Sequence, residues 1–212
     1  MKSRNAHPKS WRLYVILDRA MVSSDSRLIR IAKEAIRGGA DALQLRYKGA
    51  KILNMIRLGR RLKDICKRAG VPLLINDRIE AALAIGADGL HISKSDMSWA
   101  LARRLLGKNK ILGVSASRID DVRKAEDVGC DYVGCGPVFR TPIKNKKKPL
   151  KSELINKLMK FDIPIIFIGG INLKNAGPLA EKSHPRIAVI RAVVSSRSPY
   201  KAARTLKGIM TR

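Results

Sequence analysis

Residues Ala42-Leu-Gln-Leu-Arg-Tyr-Lys48 read as an extended segment of alternating character. Successive side chains of a strand point to opposite faces, so Gln44, Arg46 and Lys48 share one face. Leu43 and Leu45 take the other and face helices. Working outward, seven further β-branched runs punctuate the chain: Leu13–Leu17, Pro72–Ile75, Gly89–Ile92, Ile111–Val114, Tyr132–Cys135, Pro164–Ile168 and Ile187–Ile190. Helical patterns follow the eight runs, near 26–38, 50–69, 78–86, 97–107, 118–128, 151–160, 173–181 and 199–210. In the second of these, Met55, Leu58, Leu62, Ile65, Cys66 and Ala69 fall on one face at helical spacing.

Parallel strands need a crossover, usually a helix, so eight strand–helix units predict a parallel sheet. No strand reads as a polar edge, which favours an α/β fold of the (β/α)8 (TIM) barrel type, a compact single domain, over a doubly wound open sheet. The expected boundaries are a basic N-terminal extension over 1–12 and one barrel over 13–212. A chain of 212 residues is short for this fold, so loops must be short.

In a closed barrel one strand face lines the lumen, so Gln44, Arg46 and Lys48 are expected near its mouth, where two cations need an anionic partner. The plainer reading is an amphipathic strand of an open sheet. Asp77 follows the third strand and Asp96 the fourth. Two carboxylates on neighbouring strand ends suit a hard cation such as Mg²⁺, which brings substrate phosphates with it. The plainer alternatives are a capping box of Asp77 with Glu80, and Asp96 as cap of the next helix. Strand five leads to Ser115, strand six to Thr141 and Lys144, and strand seven to Gly169-Gly170. Paired glycines let backbone N–H groups approach a phosphate. His91 has apolar neighbours and reads as structural. No Ser/His/Asp grouping or histidine metal cluster is visible, and the constellation suggests phosphate chemistry.

Composition narrows the classes. Hydrophobic residues at 45% exclude a disordered basic tail, and no apolar run approaches the roughly 20 residues of a membrane span. Three cysteines without CxxC spacing argue against a disulfide framework or zinc site and for a reducing cytoplasm. A formal charge of +27 predicts attraction to polyanions. The reading from a different class is a non-catalytic nucleic-acid-binding barrel, against which aromatics at only 4% leave few rings for stacked bases.

Seven motifs together resemble the thiamine phosphate synthase family, related to the thiazole tautomerases, from about Tyr14 to Met210. They are Gln44-Leu-Arg-Tyr-Lys48, Ile75-Asn-Asp-Arg78, Gly86-Ala-Asp-Gly-Leu-His91, Asp96-Met97, Gly113-Val-Ser115, Asp131-Tyr-Val-Gly-Cys-Gly-Pro-Val-Phe139 and Ile168-Gly-Gly-Ile-Asn172. The resemblance implies a small (β/α)8 transferase that joins 4-amino-5-hydroxymethyl-2-methylpyrimidine diphosphate to a thiazole phosphate with Mg²⁺. It implies that Gln44, Arg46, Lys48, Asn76, Ser115 and Lys144 hold the pyrimidine diphosphate, with Arg46, Lys48 and Lys144 catalytic. Asp77 and Asp96 match metal ligands. Thr141, Gly170, Ile190 and Arg191 match positions around the thiazole phosphate. Ile143 replaces a usual hydroxyl there, Lys94 stands where glutamine is usual, Lys146 where aspartate is common, and Arg191 replaces a serine. The alternatives are a tautomerase-like isomerase, which places a histidine where Ser117 stands here, and a paralogue with altered catalysis. The small phosphorylated substrates are the expected partners, with incidental polyanion binding, no membrane, and the oligomeric state open.

Overall fold

The computed structural model describes residues 7–141, 148–182 and 185–212. Its strands are β1 (Leu13–Asp18), β2 (Ala42–Arg46), β3 (Leu73–Asn76), β4 (Gly89–Ile92), β5 (Ile111–Ser115), β6 (Tyr132–Cys135), β7 (Ile165–Ile168) and β8 (Ile187–Val189). All neighbours pair parallel, and β8 closes on β1 through Leu13 opposite Ile187 and Val15 opposite Val189. The expected (β/α)8 barrel is the observed one. Intervening helices are α1 (Asp25–Arg37), α2 (Ile52–Ala69), α3 (Ile79–Ile85), α4 (Trp99–Leu106) and α5 (Ile119–Asp127). They continue with α6 (Ser152–Leu158), α7 (Gly177–Ala180), α8 (Arg191–Val194) and α9 (Pro199–Met210). Among the described residues no helix is long and apolar enough to cross a membrane.

Period-two alternation divides the interior in two. Leu13, Val15, Leu17, Leu43, Leu45, Leu73 and Ile75 point outward and pack against the helices. Tyr14, Ile16, Ala42, Leu74, Tyr132, Ile166 and Ala188 fill the lumen, as barrel layers require. Trp11, inside the segment expected to be a basic extension, is fully buried and joins this inner cluster. Its ring centroid lies 5.3 Å from that of Tyr14 and 5.6 Å from that of Tyr132.

Three aspartates clamp the N-terminal end of the barrel. Asp41 accepts from the backbone N–H groups of Arg12 and Leu13, Asp88 from that of Leu73, and Asp131 from that of Leu112. Each is also paired with a cation: Lys207, Lys63 and Arg103 respectively. Because these groups tie one strand's start to the next, they serve stability and leave the opposite rim for chemistry.

The structure departs from two expected elements, one helix and one strand. The pattern over 173–181 yields only the four-residue α7, because Asn172 and Asn175 divert the backbone: Asn175 Oδ1 accepts from the Asn172 N–H and Asn172 Oδ1 from that of Lys174. The eighth strand ends at Val189 rather than Ile190, and the short α8 follows at once.

Candidate active site

A cavity of about 420 Å³ opens at the carboxyl ends of the strands. The parity of each strand determines which side chains reach it. On β1, the side chains of Tyr14, Ile16 and Asp18 point inward, and Asp18 sits opposite Arg46 in the β1–β2 register. Asp18 is 2% exposed and forms an ion pair with the Arg46 guanidinium. A half-buried cation is thereby neutralised and held in place at the cavity wall by a buried carboxylate. Sequence reading missed Asp18 because it ended β1 one residue early.

Gln44, Arg46, Lys48, Asn76 and Asp77 form one wall. Asp77 has φ 65°, the sole described non-glycine residue at positive φ. A side chain held in that sparsely populated region marks a position fixed by its surroundings. Lys48 Nζ lies 3.5 Å from Asp77 Oδ2, and Asp77 also contacts the Asp96 carboxyl. Burial and the charge of Asp96 push the Asp77 carboxyl's pKa up, against the opposing pull of Lys48. Burial acts the same way on Asp96, but hydrogen bonds from Ser93 outweigh it and hold that carboxyl low. The Ser93 N–H and Oγ lie 2.6 and 2.7 Å from Asp96 Oδ2.

Neither carboxylate caps a helix. The cap position of α3 is Arg78, whose side chain pairs with Glu80, and that of α4 is Ser98. The capping-box and helix-cap readings are therefore corrected. Two oxygen-ligand carboxylates forced together fit a hard divalent cation. Among the described residues no group of three or more His, Cys, Asp or Glu gathers as a metal cluster, so water and substrate phosphates would complete the shell.

The second wall carries His91 and Ser115, with His91 Nε2 2.9 Å from Ser115 Oγ. His91 is thus a cavity residue, and the apolar neighbours that made it read as structural belong to the outward face. Thr141, Gly170, Ile190 and Arg191 line the far side with Ala192. The Arg191 and Ala192 amides open the short α8, and first-turn N–H groups lack intrahelical partners. Gly169 and Gly170 have φ 101° and 72°. A Cβ on Gly170 would meet the Arg140 carbonyl oxygen at 2.6 Å, so glycine is required where this loop crosses the loop after β6. Lys94 turns away from the cavity, paired with Asp121 and lying over the Trp99 ring. Lys144, Ile143 and Lys146 lie outside the described residues.

The thiols of Cys66, Cys130 and Cys135 are each pushed by burial up to about 12, which leaves no thiolate nucleophile. The arrangement can therefore bind and polarise anions without forming a bond to cysteine.

A family model described as thiamine monophosphate synthase matches residues 13–193. The chain belongs to this family. Its relatives include the thiamine-phosphate synthase of Chloroflexus aurantiacus, 41% identical over 97% of this chain and 95% of the relative. That of Chlorobium luteolum is 43% identical over 96% of this chain and 94% of the relative. The structure of thiamine phosphate pyrophosphorylase from Pyrococcus furiosus superposes with a TM-score of 0.85 at 32% identity, covering 96% of each chain. The resemblance drawn from the seven motifs is borne out, and thiamine monophosphate synthase family membership makes this chain an enzyme of the transferase class.

Proposed function

We propose that the enzyme condenses 4-amino-5-hydroxymethyl-2-methylpyrimidine diphosphate with a thiazole phosphate, giving thiamine phosphate and pyrophosphate. The observation that carries this reading is Asp77 beside Lys48 in one cavity with Arg46 and Ser115, its carboxyl in contact with that of Asp96 at the exposed rim. Asp77 and Asp96 would hold Mg²⁺, which supplies positive charge to the diphosphate when bound. Arg46, Lys48 and Lys144 bind the diphosphate oxygens, and Gln44, Asn76 and Ser115 orient them by hydrogen bonds. Charge grows on the leaving group as the carbon–oxygen bond breaks, and these cations stabilise it more than they stabilise the intact substrate. Thr141, Gly170 and the Ile190–Arg191 segment hold the thiazole phosphate so that its ring nitrogen captures the pyrimidine methylene cation. One carbon–oxygen bond is lost and one carbon–nitrogen bond gained, with no protein nucleophile.

The three buried free cysteines support a reducing cytoplasm. Part of the excess charge gathers on one side. On α1, α2 and α9, Arg27, Arg30, Lys33, Arg37, Arg57, Arg60, Arg61, Lys67, Arg68, Lys201 and Arg204 meet few acids. On α3 to α5, Glu80, Asp120, Asp121, Glu126 and Asp127 offset Arg103, Arg104, Arg123 and Lys124. Because α1 packs against both α9 and α2, the basic helices form one face that would attract polyanions incidentally.

The test is a product assay with both substrates and Mg²⁺, detecting thiamine phosphate as its oxidised fluorescent derivative. Product that disappears with EDTA is expected. Product formation indifferent to EDTA would remove the metal from the reading, and no product would remove the synthase reading itself.

A further inference from the structure

A continuous hydrogen-bonded chain runs through the lumen beneath the cavity. Gln44 Nε2 donates to Tyr14 Oη at 2.6 Å, Tyr14 Oη lies 3.1 Å from Tyr132 Oη, and Tyr132 Oη lies 2.9 Å from His91 Nδ1. His91 Nε2 then meets Ser115 Oγ at 2.9 Å. Both ends, Gln44 and Ser115, line the cavity, while Tyr14 and Tyr132 are almost wholly buried below it.

Each hydroxyl in this chain has one proton, so the direction of one bond dictates the next. Tyr14 accepts from Gln44 and so gives its proton to Tyr132. Tyr132, already accepting, gives its own to His91 Nδ1. A His91 that accepts at Nδ1 carries its hydrogen on Nε2 and donates to Ser115. Ser115 Oγ, occupied as an acceptor, has its proton left to point away from the chain. Burial pushes both tyrosine hydroxyls' pKa values up, so each keeps its proton. The packing is built around these rings: a Cβ on Gly113 would lie 2.0 Å from Tyr132 Cζ, and one on Gly134 would lie 3.1 Å from His91 Cε1.

We propose that Tyr14, Tyr132 and His91 are positioning residues that order these bonds in one direction, so that the Ser115 hydroxyl donates into the cavity toward the substrate diphosphate. A donor-only orientation suits an anion, which offers acceptors alone. Gln44 sets the polarity, because turning its carboxamide to present Oε1 would reverse every bond and spend the Ser115 proton on His91. The last step rests on the reading of Ser115 as a diphosphate contact, whereas the order of the chain does not.

The full chain has three histidines, His7, His91 and His184, so [15N]histidine labelling gives a spectrum assignable with His7→Gln and His184→Gln. The expected wild-type signature is an Nε2–H tautomer at His91. Gln44→Glu, whose carboxylate only accepts, should convert it to Nδ1–H. Tyr132→Phe should disturb the tautomer and lower kcat/KM for the pyrimidine diphosphate by about 10- to 100-fold, the range for losing one hydrogen bond to a charged group. KM for the thiazole phosphate should stay unchanged. Added to Ser115→Ala, Tyr132→Phe should cost nothing more, since it acts through that hydroxyl. An Nδ1–H tautomer in the wild type, or fully additive losses in the double variant, would overturn the proposal. An Nε2–H tautomer in a wild type without synthase activity would overturn the substrate reading alone.

Discussion

Replacing Asp77 by Asn should stabilise the metal-free protein while removing metal-dependent turnover. Asn tolerates a left-handed backbone as Asp does, so the φ of 65° is retained and only charge changes. In the wild type, burial and Asp96 raise the Asp77 pKa, and Lys48 opposes them only in part. The sign follows from linkage. A carboxyl whose folded pKa lies above its unfolded value weakens the fold at neutral pH, and the penalty fades as pH falls toward about 4. Two charges about 4 Å apart repel by about 4 kcal/mol at an effective dielectric of 20. Asp77 is 22% exposed and Lys48 61%, and Asp96 lies at the surface, so screening leaves about 1 kcal/mol. For a domain of this size that is a rise of roughly 2–4 °C in Tm. Calorimetry in EDTA should show this gap at neutral pH and its narrowing on acidification. Turnover with Mg²⁺ should fall by roughly 10²–10³, as for loss of an electrostatic group. A variant less stable than the wild type in EDTA, or one with unchanged metal dependence, would refute the assignment.

Asp18→Ala leaves the half-buried Arg46 guanidinium without its partner and should cost about 2 kcal/mol, read by urea denaturation. A loss below about 1 kcal/mol would show that Arg46 finds another anchor. Gly170→Ala puts a side chain at φ 72° and 2.6 Å from the Arg140 carbonyl, so it should lose at least about 2 kcal/mol. It should also raise KM for the thiazole phosphate, with KM for the pyrimidine diphosphate retained. Reversing Arg57, Arg61 and Lys67 to Glu should weaken oligonucleotide binding and flatten its salt dependence, with synthase turnover intact. The same change at the exposed Arg104 and Arg123 should alter binding far less, and equal effects from both faces would remove the one-sided polyanion surface.

The barrel was legible because its signal is local. Alternation within each strand and the helical period between strands are set by neighbours a few residues apart, and six of the eight expected strand starts coincide with the observed ones. The other two were placed at Pro72 and Pro164, whereas β3 and β7 start at Leu73 and Ile165. Proline lacks the N–H that a ladder needs, though its carbonyl still accepts: those of Pro72 and Pro164 bond Leu43 and Val133. Helix α8 has four residues, too few to show any period.

Parity explains what was visible of the site and what was not. Gln44, Arg46 and Lys48 announce themselves because polar residues alternate with leucine on a strand that should be buried. Asp18 obeys the same rule on β1, and extending that strand by one residue would have placed it opposite Arg46. His91 reads as structural because Leu90 and Ile92 flank it, yet those two belong to the outward face of β4 and its own face carries Gly89. The Tyr14–Tyr132 contact is of another kind, since 118 residues separate its partners and only barrel closure sets them together. Each tyrosine alone reads as core, and burial does not distinguish a packed phenol from one that passes a hydrogen-bond direction to its neighbour. The distinction lies in the partner of each hydroxyl, and a buried hydroxyl without one would be costly. Long-range register, rather than residue type, therefore turns two core aromatics and a histidine into supports for a cavity serine.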